Sequence, residues 1–333
     1  MNTANANANA NANANGRSIY LHEVATRDGF QAERAFVPTQ EKIALVNALS
    51  RVGFSKIEVT GFVSARAIPA LRDAQAVLRE IERRPGVRYT ALVPNVRGAQ
   101  AAIEACADEL NLVMSASESH NLSNLRMTRD QSFDALREVG RLAREAGVRL
   151  NVSLSCAFGC PMEGDIGGQT VLGWSQRFID ELHVAGVTLC DTTGMAYPPQ
   201  VAALTRAFIA RWPSTELTLH FHNTRGMGLA NLLAGIDAGA MRFDTSLGGI
   251  GGCPYAPGAS GNVCSEDIAH ALEWIGYRTG IDLEALLAAS KRLPALLGHE
   301  TPSQVAKAGQ RLDLHARPSE FDAIAQRAGE RQT

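Results

Sequence analysis

The chain has 333 residues, of which 45% are hydrophobic, and its 32 basic and 34 acidic residues give a net charge of −2. This size suits one large domain, and the near-neutral charge gives no reason to expect nucleic acid or an anionic membrane as a general partner. No apolar run approaches the roughly 20 residues that a membrane-spanning helix needs. Six cysteines without a secretory signal predict a reduced, cytoplasmic protein rather than a disulfide-linked one.

The first 16 residues are almost entirely Asn and Ala, in alternation for most of their length. They have neither the apolar stretch of a secretory signal nor the arginines of a mitochondrial address. We therefore expect residues 1–16 to form a disordered, low-complexity tail.

From residue 17 to residue 280, short apolar runs alternate with longer amphipathic segments. The predicted strands are Ile19–Val24, Lys56–Thr60, Tyr89–Val93, Glu109–Met114, Arg149–Ser155, Val187–Asp191, Leu217–His222 and Met241–Ser246. Helix-like stretches begin near Pro38, Ala67, Val96, Asp130, Gln169, Pro199, Met227 and Ser265. Eight such pairs predict an α/β protein built as a parallel (β/α)8 TIM barrel. An open, doubly wound sheet is the alternative, but no Gly-x-Gly-x-x-Gly follows the first strand.

Glycines stand between several predicted helices and the strands that follow them. They are Gly53, Gly147, Gly186 and Gly239. A glycine just past a helix end supplies the left-handed residue that the cap needs. Beyond the barrel, the leucines of residues 283–293 predict extra C-terminal helices, so we expect residues 281–333 to form a helical extension packed on the barrel.

Polar residues recur where the predicted strands end. They are Thr26–Gly29, Glu58, Ser115–His120, Ser155–Cys156, Asp191–Thr192, His220–Asn223 and Gly248–Tyr255. Active sites of TIM barrels lie at the carboxyl ends of the strands. The sequence therefore predicts an active site at that end of the barrel.

His220 and His222 are two residues apart on a predicted strand, so both side chains point to the same face. Such a pair is either a metal-ligand pair or a buried, hydrogen-bonded pair. Together with the Asp28 carboxylate it favours a divalent cation, and the carbonyl oxygen of Asn262 could complete the set. Without a thiolate among the ligands, Mg²⁺ or Mn²⁺ is a better prediction than structural zinc.

Two further positions have a structural and a catalytic interpretation. Arg27 could form a salt bridge at the barrel end, or it could donate hydrogen bonds to a thioester oxygen that gains negative charge. The glycine-rich segment Ser246–Asn262 could bind phosphate. A phosphate cradle does not need Cys253 and Tyr255 at its centre, however, so we favour a catalytic thiol on a mobile loop.

Together these residues resemble the hydroxymethylglutaryl-CoA lyase family, which shares its barrel with isopropylmalate and homocitrate synthases. The resemblance covers about Tyr20 to Ala308, and its marks are Arg27–Gln31, Ile57–Ser64, Ser155–Pro161 and Gly251–Asn262. The last segment resembles the cysteine loop of the lyases, which the synthases lack.

The resemblance implies an activity and a role for each site residue. The activity would be cleavage of 3-hydroxy-3-methylglutaryl-CoA to acetyl-CoA and acetoacetate, a step of leucine degradation. The metal ligands would be Asp28, His220, His222 and Asn262, and His220 would also contribute to catalysis. Arg27 would stabilise the enolate and Cys253 would protonate it. Glu58 and Asp191 would orient the substrate and help to remove its hydroxyl proton.

Four positions depart from the family pattern. Ser153 and Met162 stand where tyrosine is usual, Asn223 replaces an aspartate, and Arg225 replaces an aromatic residue. The same cleavage of a different 3-hydroxyacyl-CoA therefore stays open, as does a Claisen-type condensing enzyme. A barrel that only binds a CoA ester or a metal is a further alternative. A homodimer stays open as well, since dimers are common among barrels of this kind.

Overall fold

The computed structural model of the protein describes residues 16–252 and 261–330, which contain a closed barrel of eight parallel strands. Each strand pairs with the next, and the last returns to the first. The strands are β1 (Tyr20–Glu23), β2 (Lys56–Gly61), β3 (Arg88–Leu92), β4 (Glu109–Ser115), β5 (Arg149–Ser155), β6 (Gly186–Asp191), β7 (Glu216–Phe221) and β8 (Arg242–Thr245). The predicted fold class is confirmed, and every predicted strand lies within two residues of an observed one.

Helices surround the barrel. They are α1 (Thr39–Leu49), α2 (Ala74–Glu80), α3 (Val96–Glu104), α4 (Glu118–Leu125), α5 (Arg129–Glu145), α6 (Gly168–Leu182), α7 (Pro198–Arg211), α8 (Gly228–Asp237), α9 (Ser265–Ile275), α10 (Leu283–Ser290), α11 (Leu293–Leu297), α12 (Val305–Ala308) and α13 (Phe321–Glu330). Helix α4 had not been predicted, because its sequence ESHNLSNL has few apolar residues. None of the described helices is long and apolar enough to cross a membrane.

Local sequence signals explain where several helices begin. Thr128 and Gln131 form a reciprocal capping box at the start of α5. The Asn95 side chain accepts a hydrogen bond from the Gly98 N–H at the start of α3.

Between helices and strands, Gly53, Gly147 and Gly239 have positive φ, as expected. The expectation for Gly186 was wrong: it lies in β6, and α6 ends at the left-handed His183.

The two faces of the barrel strands differ in polarity. Their outward side chains are apolar and pack beneath the helices, for example Leu110, Val152 and Leu189, each fully buried. Alternate residues of every strand face the barrel interior, and many of these inward side chains are polar. At its floor, Glu109 and Glu216 pair with four cations from neighbouring strands. These cations are Lys56, Arg88, Arg149 and Arg242.

Four helices follow the barrel between residue 281 and the last described residue, 330. Helix α10 buries Leu283, Leu286 and Leu287 and packs against α1 and α9. Helix α13, by contrast, is exposed along its whole length. The predicted division of the chain at residues 16 and 280 stays a prediction, and the tail of residues 1–15 lies outside the described residues.

Candidate metal and active site

Three predicted metal ligands meet at the carboxyl end of the barrel. Asp28, His220 and His222 each offer one ligand atom within 4.8 Å of the other two. The Nε2 atoms of both histidines lie 4.0 Å from Asp28 Oδ2. The two imidazole rings are 5.2 Å apart. These three residues could therefore hold a metal ion, and the expected common face of the two histidines is observed.

A tight turn after β1 brings Arg27 and Asp28 to this position. Their backbone N–H groups donate to the Val24 carbonyl oxygen at 3.1 and 2.7 Å, within a π-helical turn of residues Ala25–Gly29. Gly29 closes the turn against the loop after β8. A Cβ atom at Gly29 would lie 2.6 Å from the Ile250 side chain, so a larger residue would push the two segments apart. The turn thus depends on glycine for its close packing.

Asn262, the fourth predicted ligand, is also at this site. Its Nδ2 donates to Asp28 Oδ2 at 2.8 Å and to the Ile250 carbonyl oxygen at 3.0 Å. Among the described residues, nothing hydrogen-bonds to the buried Asn262 Oδ1 or to the buried His222 Nδ1. An unpaired buried acceptor is costly. A cation bound by the amide oxygen would remove that cost, so the donor set fits a metal.

The charges around Asp28 favour ligation. Burial alone would raise its pKa, but the charge of Arg27, followed by those of His220 and His222, lowers the pKa to about 2. Burial, together with the neighbouring His220, lowers the pKa of His222 to about 4. An ionised carboxylate and neutral imidazoles are the protonation states that metal binding requires, and the shifts of Asp28 and His222 favour them. His220 differs: burial would lower its pKa, but the hydrogen bond to Asp244 and the charges of Asp244 and Asp28 raise it. Two nitrogens and one oxygen suit a divalent cation.

Arg27 links the triad to Glu58 on β2. Its Nη1 donates to Asp28 Oδ1 at 2.6 Å, and its Nε donates to Glu58 Oε2 at 2.5 Å. Glu58 Oε1 accepts from Asn111 Nδ2 at 2.6 Å. Burial raises the pKa of Glu58, although the charge of Arg27 opposes this shift. Arg27 has five N–H groups, and two of them hold these carboxylates, so the salt bridge does not prevent it from also binding a substrate oxygen.

Asp191 lies at the end of β6. Its Oδ1 accepts the backbone N–H groups of Met195 at 2.7 Å and Ala196 at 3.1 Å, which shapes the loop before α7. Within the described part of the chain, its buried Oδ2 has no hydrogen-bond partner. Burial raises the pKa of Asp191 to about 6, although the hydrogen bonds from the Met195 and Ala196 N–H groups and the charge of His220 oppose this shift. Asp191 therefore combines a loop-shaping role with an oxygen and a pKa suited to a proton acceptor near neutral pH.

Cys253 falls in the segment 253–260, which lies outside the described residues. The glycines near the two ends of this segment lie beside the triad. A Cβ atom at Gly251 would be 2.6 Å from Asn262 Nδ2 and 3.0 Å from the Asp28 carbonyl oxygen, and Gly251 and Gly261 both have positive φ. The catalytic role of Cys253 stays a prediction.

Sequence reasoning missed several polar residues inside the barrel. On β8, Asp244 lies between His220 Nδ1 and His22 Nδ1, at 3.3 and 3.2 Å. Burial, followed by the charges of Asp244 and Asp28, raises the pKa of Cys190, so this thiol stays protonated beside the triad. Strand alternation is the signal that could have found Asp244. It lies two residues after Arg242 on a predicted strand, so both side chains point to the same face.

Several known proteins are similar to this chain over most of its length. The sequence model described as HMGL-like matches residues 18–293. The hydroxymethylglutaryl-CoA lyase YngG of Bacillus subtilis is 42% identical over 288 residues, covering 86% of this chain and 96% of that protein. The (R)-citramalyl-CoA lyase of Chloroflexus aurantiacus is 39% identical, covering 88% and 95%. A solved structure of an HMG-CoA lyase from Acinetobacter baumannii, in complex with coenzyme A and 3-methylmalate, has a TM-score of 0.88 at 49% identity, covering 92% and 99%.

Proposed function

The chain belongs to the HMGL-like family, and we propose that it is a metal-dependent lyase that cleaves 3-hydroxy-3-methylglutaryl-CoA to acetyl-CoA and acetoacetate. The observation that carries this proposal is the site formed by Asp28, His220, His222 and Asn262, with Arg27 beside it. It lies at the barrel end where TIM-barrel enzymes react. The lyases named above match this chain over nearly their whole length.

The metal is proposed to be Mg²⁺ or Mn²⁺, held by the Asp28 carboxylate, the two imidazoles and the Asn262 amide oxygen. When bound, such a cation supplies Lewis-acid polarisation of the substrate's tertiary hydroxyl and carboxylate oxygens. The remaining steps are assigned to side chains of the chain itself.

The reaction is a retro-Claisen cleavage. Asp191 or Glu58 accepts the proton of the substrate hydroxyl, the hydroxyl carbon becomes a ketone, and the C2–C3 bond breaks. The electron pair of that bond forms the enolate of acetyl-CoA. Arg27 donates hydrogen bonds to the enolate oxygen and stabilises its charge. Cys253 then gives a proton to the enolate carbon, which completes acetyl-CoA and leaves acetoacetate as the second product.

The four departures from the family pattern leave every proposed metal ligand in place. Ser153 Oγ donates to Asn111 Oδ1 at 3.0 Å, inside the barrel. Arg225 Nη1 donates to the carbonyl oxygens of Thr193 and Gly194, which joins two loops. Asn223 accepts from the Gly228 N–H, and Met162 is 47% exposed. The chemistry is therefore expected to be retained, whereas these positions bear on which acyl chain fits.

A second candidate function is the same cleavage of another 3-hydroxyacyl-CoA. The relative from Chloroflexus aurantiacus, named (R)-citramalyl-CoA lyase, favours this candidate over a condensing enzyme. It would use the same ligands and the same Arg27 on a different acyl group, and Ser153 and Met162 are the first positions proposed to change which acyl group is accepted.

The test is a cleavage assay of the purified protein with a panel of 3-hydroxyacyl-CoA esters, in which mass spectrometry identifies the products. Acetoacetate and acetyl-CoA from hydroxymethylglutaryl-CoA support the main proposal. Acetyl-CoA from another ester alone supports the second candidate. If no ester is cleaved in the presence of Mg²⁺ or Mn²⁺, both are contradicted.

The proposal extends to the location, the metabolic role and the oligomeric state of the enzyme. A cytoplasmic location agrees with a composition that lacks the features of a secreted, disulfide-linked protein. A role in leucine degradation would follow from the proposed substrate. Homodimer formation is proposed as well, and light scattering of the purified protein tests it.

A further inference from the structure

Asp244 is shared by two histidines from different strands. One carboxylate oxygen, Oδ2, lies 3.3 Å from His220 Nδ1, and the other, Oδ1, lies 3.2 Å from His22 Nδ1. The strands place them together, because Asp244 pairs in register with His22 on β1 and with His220 on β7. Along the sequence, His22 and His220 are far apart, since they belong to the first and the seventh strand.

The chemistry of this pair of contacts fixes where the protons are. An ionised carboxylate only accepts hydrogen bonds, so each facing Nδ1 atom must carry a proton. A neutral imidazole that is protonated at Nδ1 has its lone pair at Nε2. In His220 that Nε2 atom is the one that lies 4.0 Å from Asp28. When His220 is neutral, the hydrogen bond to Asp244 therefore leaves it in the tautomer that can bind a cation on the Asp28 side.

His22 contributes the other half of the arrangement. Among the described residues, the only side chains that hydrogen-bond to Asp244 are the two imidazoles. His22 is 2% exposed, and the Thr245 hydroxyl donates to its carbonyl oxygen at 3.1 Å. A carboxylate held at both oxygens by buried donors cannot rotate away from His220 without breaking the other bond.

We propose that His22 and Asp244 are positioning residues, which hold His220 with its Nε2 lone pair directed to the metal site. The inference rests on the proposed function, because it assumes that His220 is a metal ligand. It goes beyond that function by assigning a role to His22, which is not among the proposed metal ligands or catalytic residues.

The test uses metal-free protein labelled with ¹⁵N-histidine and, separately, calorimetric titration with Mn²⁺. In the wild type, at a pH above the raised pKa of His220, long-range ¹⁵N–¹H spectra are expected to show this ring protonated at Nδ1 and unprotonated at Nε2. Asp244→Asn places an amide between the two rings, and one ring must then accept instead of donate. We expect Mn²⁺ affinity to fall on the order of 10–100-fold, as is typical when the hydrogen-bond partner of a ligating histidine is changed.

His22 is tested by two variants that differ in one property. His22→Leu removes the donor, and we expect a loss of Mn²⁺ affinity of about tenfold together with a change in the His220 ring signals. His22→Asn keeps a donor near the position of Nδ1, and we expect affinity within about threefold of the wild type. Thr218→Val is the matched control on β7, since its buried hydroxyl has no hydrogen-bond partner in the described part of the chain.

The outcomes separate this inference from the proposed function. If the wild type binds Mn²⁺ and cleaves its substrate, but His22→Leu binds Mn²⁺ as tightly and leaves the His220 signals unchanged, the role of His22 is overturned. A neutral His220 ring with its proton on Nε2 instead of Nδ1 in the wild type overturns the role of Asp244 as well. Failure of the wild type to bind Mn²⁺ or to cleave any ester contradicts the proposed function, whereas the tautomer measurement on metal-free protein still decides the inference.

Discussion

Replacing Arg27 by lysine separates the charge of this residue from its geometry. The guanidinium donates to Glu58 through Nε and to Asp28 through Nη1, and its other N–H groups remain for a substrate oxygen. Lysine has one nitrogen with three N–H groups. It cannot reach both carboxylates and a developing oxyanion at once, so Arg27→Lys should keep a positive charge near Asp28 and lose the hydrogen bond to the enolate.

The expected magnitude follows from that loss. Removing one donor to an oxyanion costs about 100–1,000-fold in kcat, or about 3–4 kcal/mol. The enolate carries the charge and the bound thioester does not, so KM should change much less than kcat. Deleting one partner of a buried ion pair costs about 3–5 kcal/mol of stability. Arg27→Lys should lose less than Arg27→Gln, because it leaves neither carboxylate without a cation.

The assay combines steady-state kinetics on hydroxymethylglutaryl-CoA, Mn²⁺ titration and urea unfolding for the wild type, Arg27→Lys and Arg27→Gln. We expect Arg27→Lys to be folded and to bind Mn²⁺ within a few-fold of the wild type, with kcat reduced as above. A folded, Mn²⁺-binding Arg27→Lys enzyme with kcat within about fivefold of the wild type would refute the enolate-stabilising role.

Three further predictions concern a proton acceptor, the barrel floor and the cysteine loop. Burial raises the pKa of Asp191 to about 6, so kcat/KM should rise with pH up to about that value as the base ionises. Asp191→Asn should remove this rise of kcat/KM with pH. An unchanged pH profile in the variant would exclude Asp191 as the base. The cations around Glu216, Lys56 foremost, outweigh its burial and lower its pKa from 4.5 to about 2, so Glu216 stabilises the fold above pH 4.5 and this contribution is lost as the pH falls to 2. Glu216→Gln should therefore cost about 2–3 kcal/mol in urea unfolding at pH 7 and much less at pH 2–3, and equal losses at both pH values would contradict this account. Cys253→Ala should lower acetoacetate formation about 100-fold or more without changing Mn²⁺ affinity, and retained activity would show that another group protonates the enolate.

Periodicity predicted the barrel well because each strand carries its own signal. Short apolar runs such as Arg149–Ser155 match β5 residue for residue. Polar residues at the strand ends likewise predicted the triad, since parallel strands of a barrel bring their carboxyl ends together. Where the signal was weak, the prediction failed: α4 has few apolar residues, and Gly186 begins a strand where a helix cap had been expected.

Contacts that depend on barrel closure could not be predicted from local sequence. His22 and Asp244 are 222 residues apart and meet only because β8 pairs with β1 in one specific register. The π-helical turn that presents Arg27 and Asp28 depends on Val24 as a shared acceptor and on the packing of Gly29 against Ile250. Spacing alone does not encode such long-range packing.

The most direct test of the central claim is acetoacetate formation from hydroxymethylglutaryl-CoA by metal-stripped protein, measured as Mg²⁺ or Mn²⁺ is added back. The account predicts no product without metal, saturable recovery with either cation, and a loss of at least about tenfold in metal affinity for Asp28→Asn. Cleavage that persists without metal, or an Asp28→Asn variant that recovers at the same metal concentration as the wild type, would contradict it.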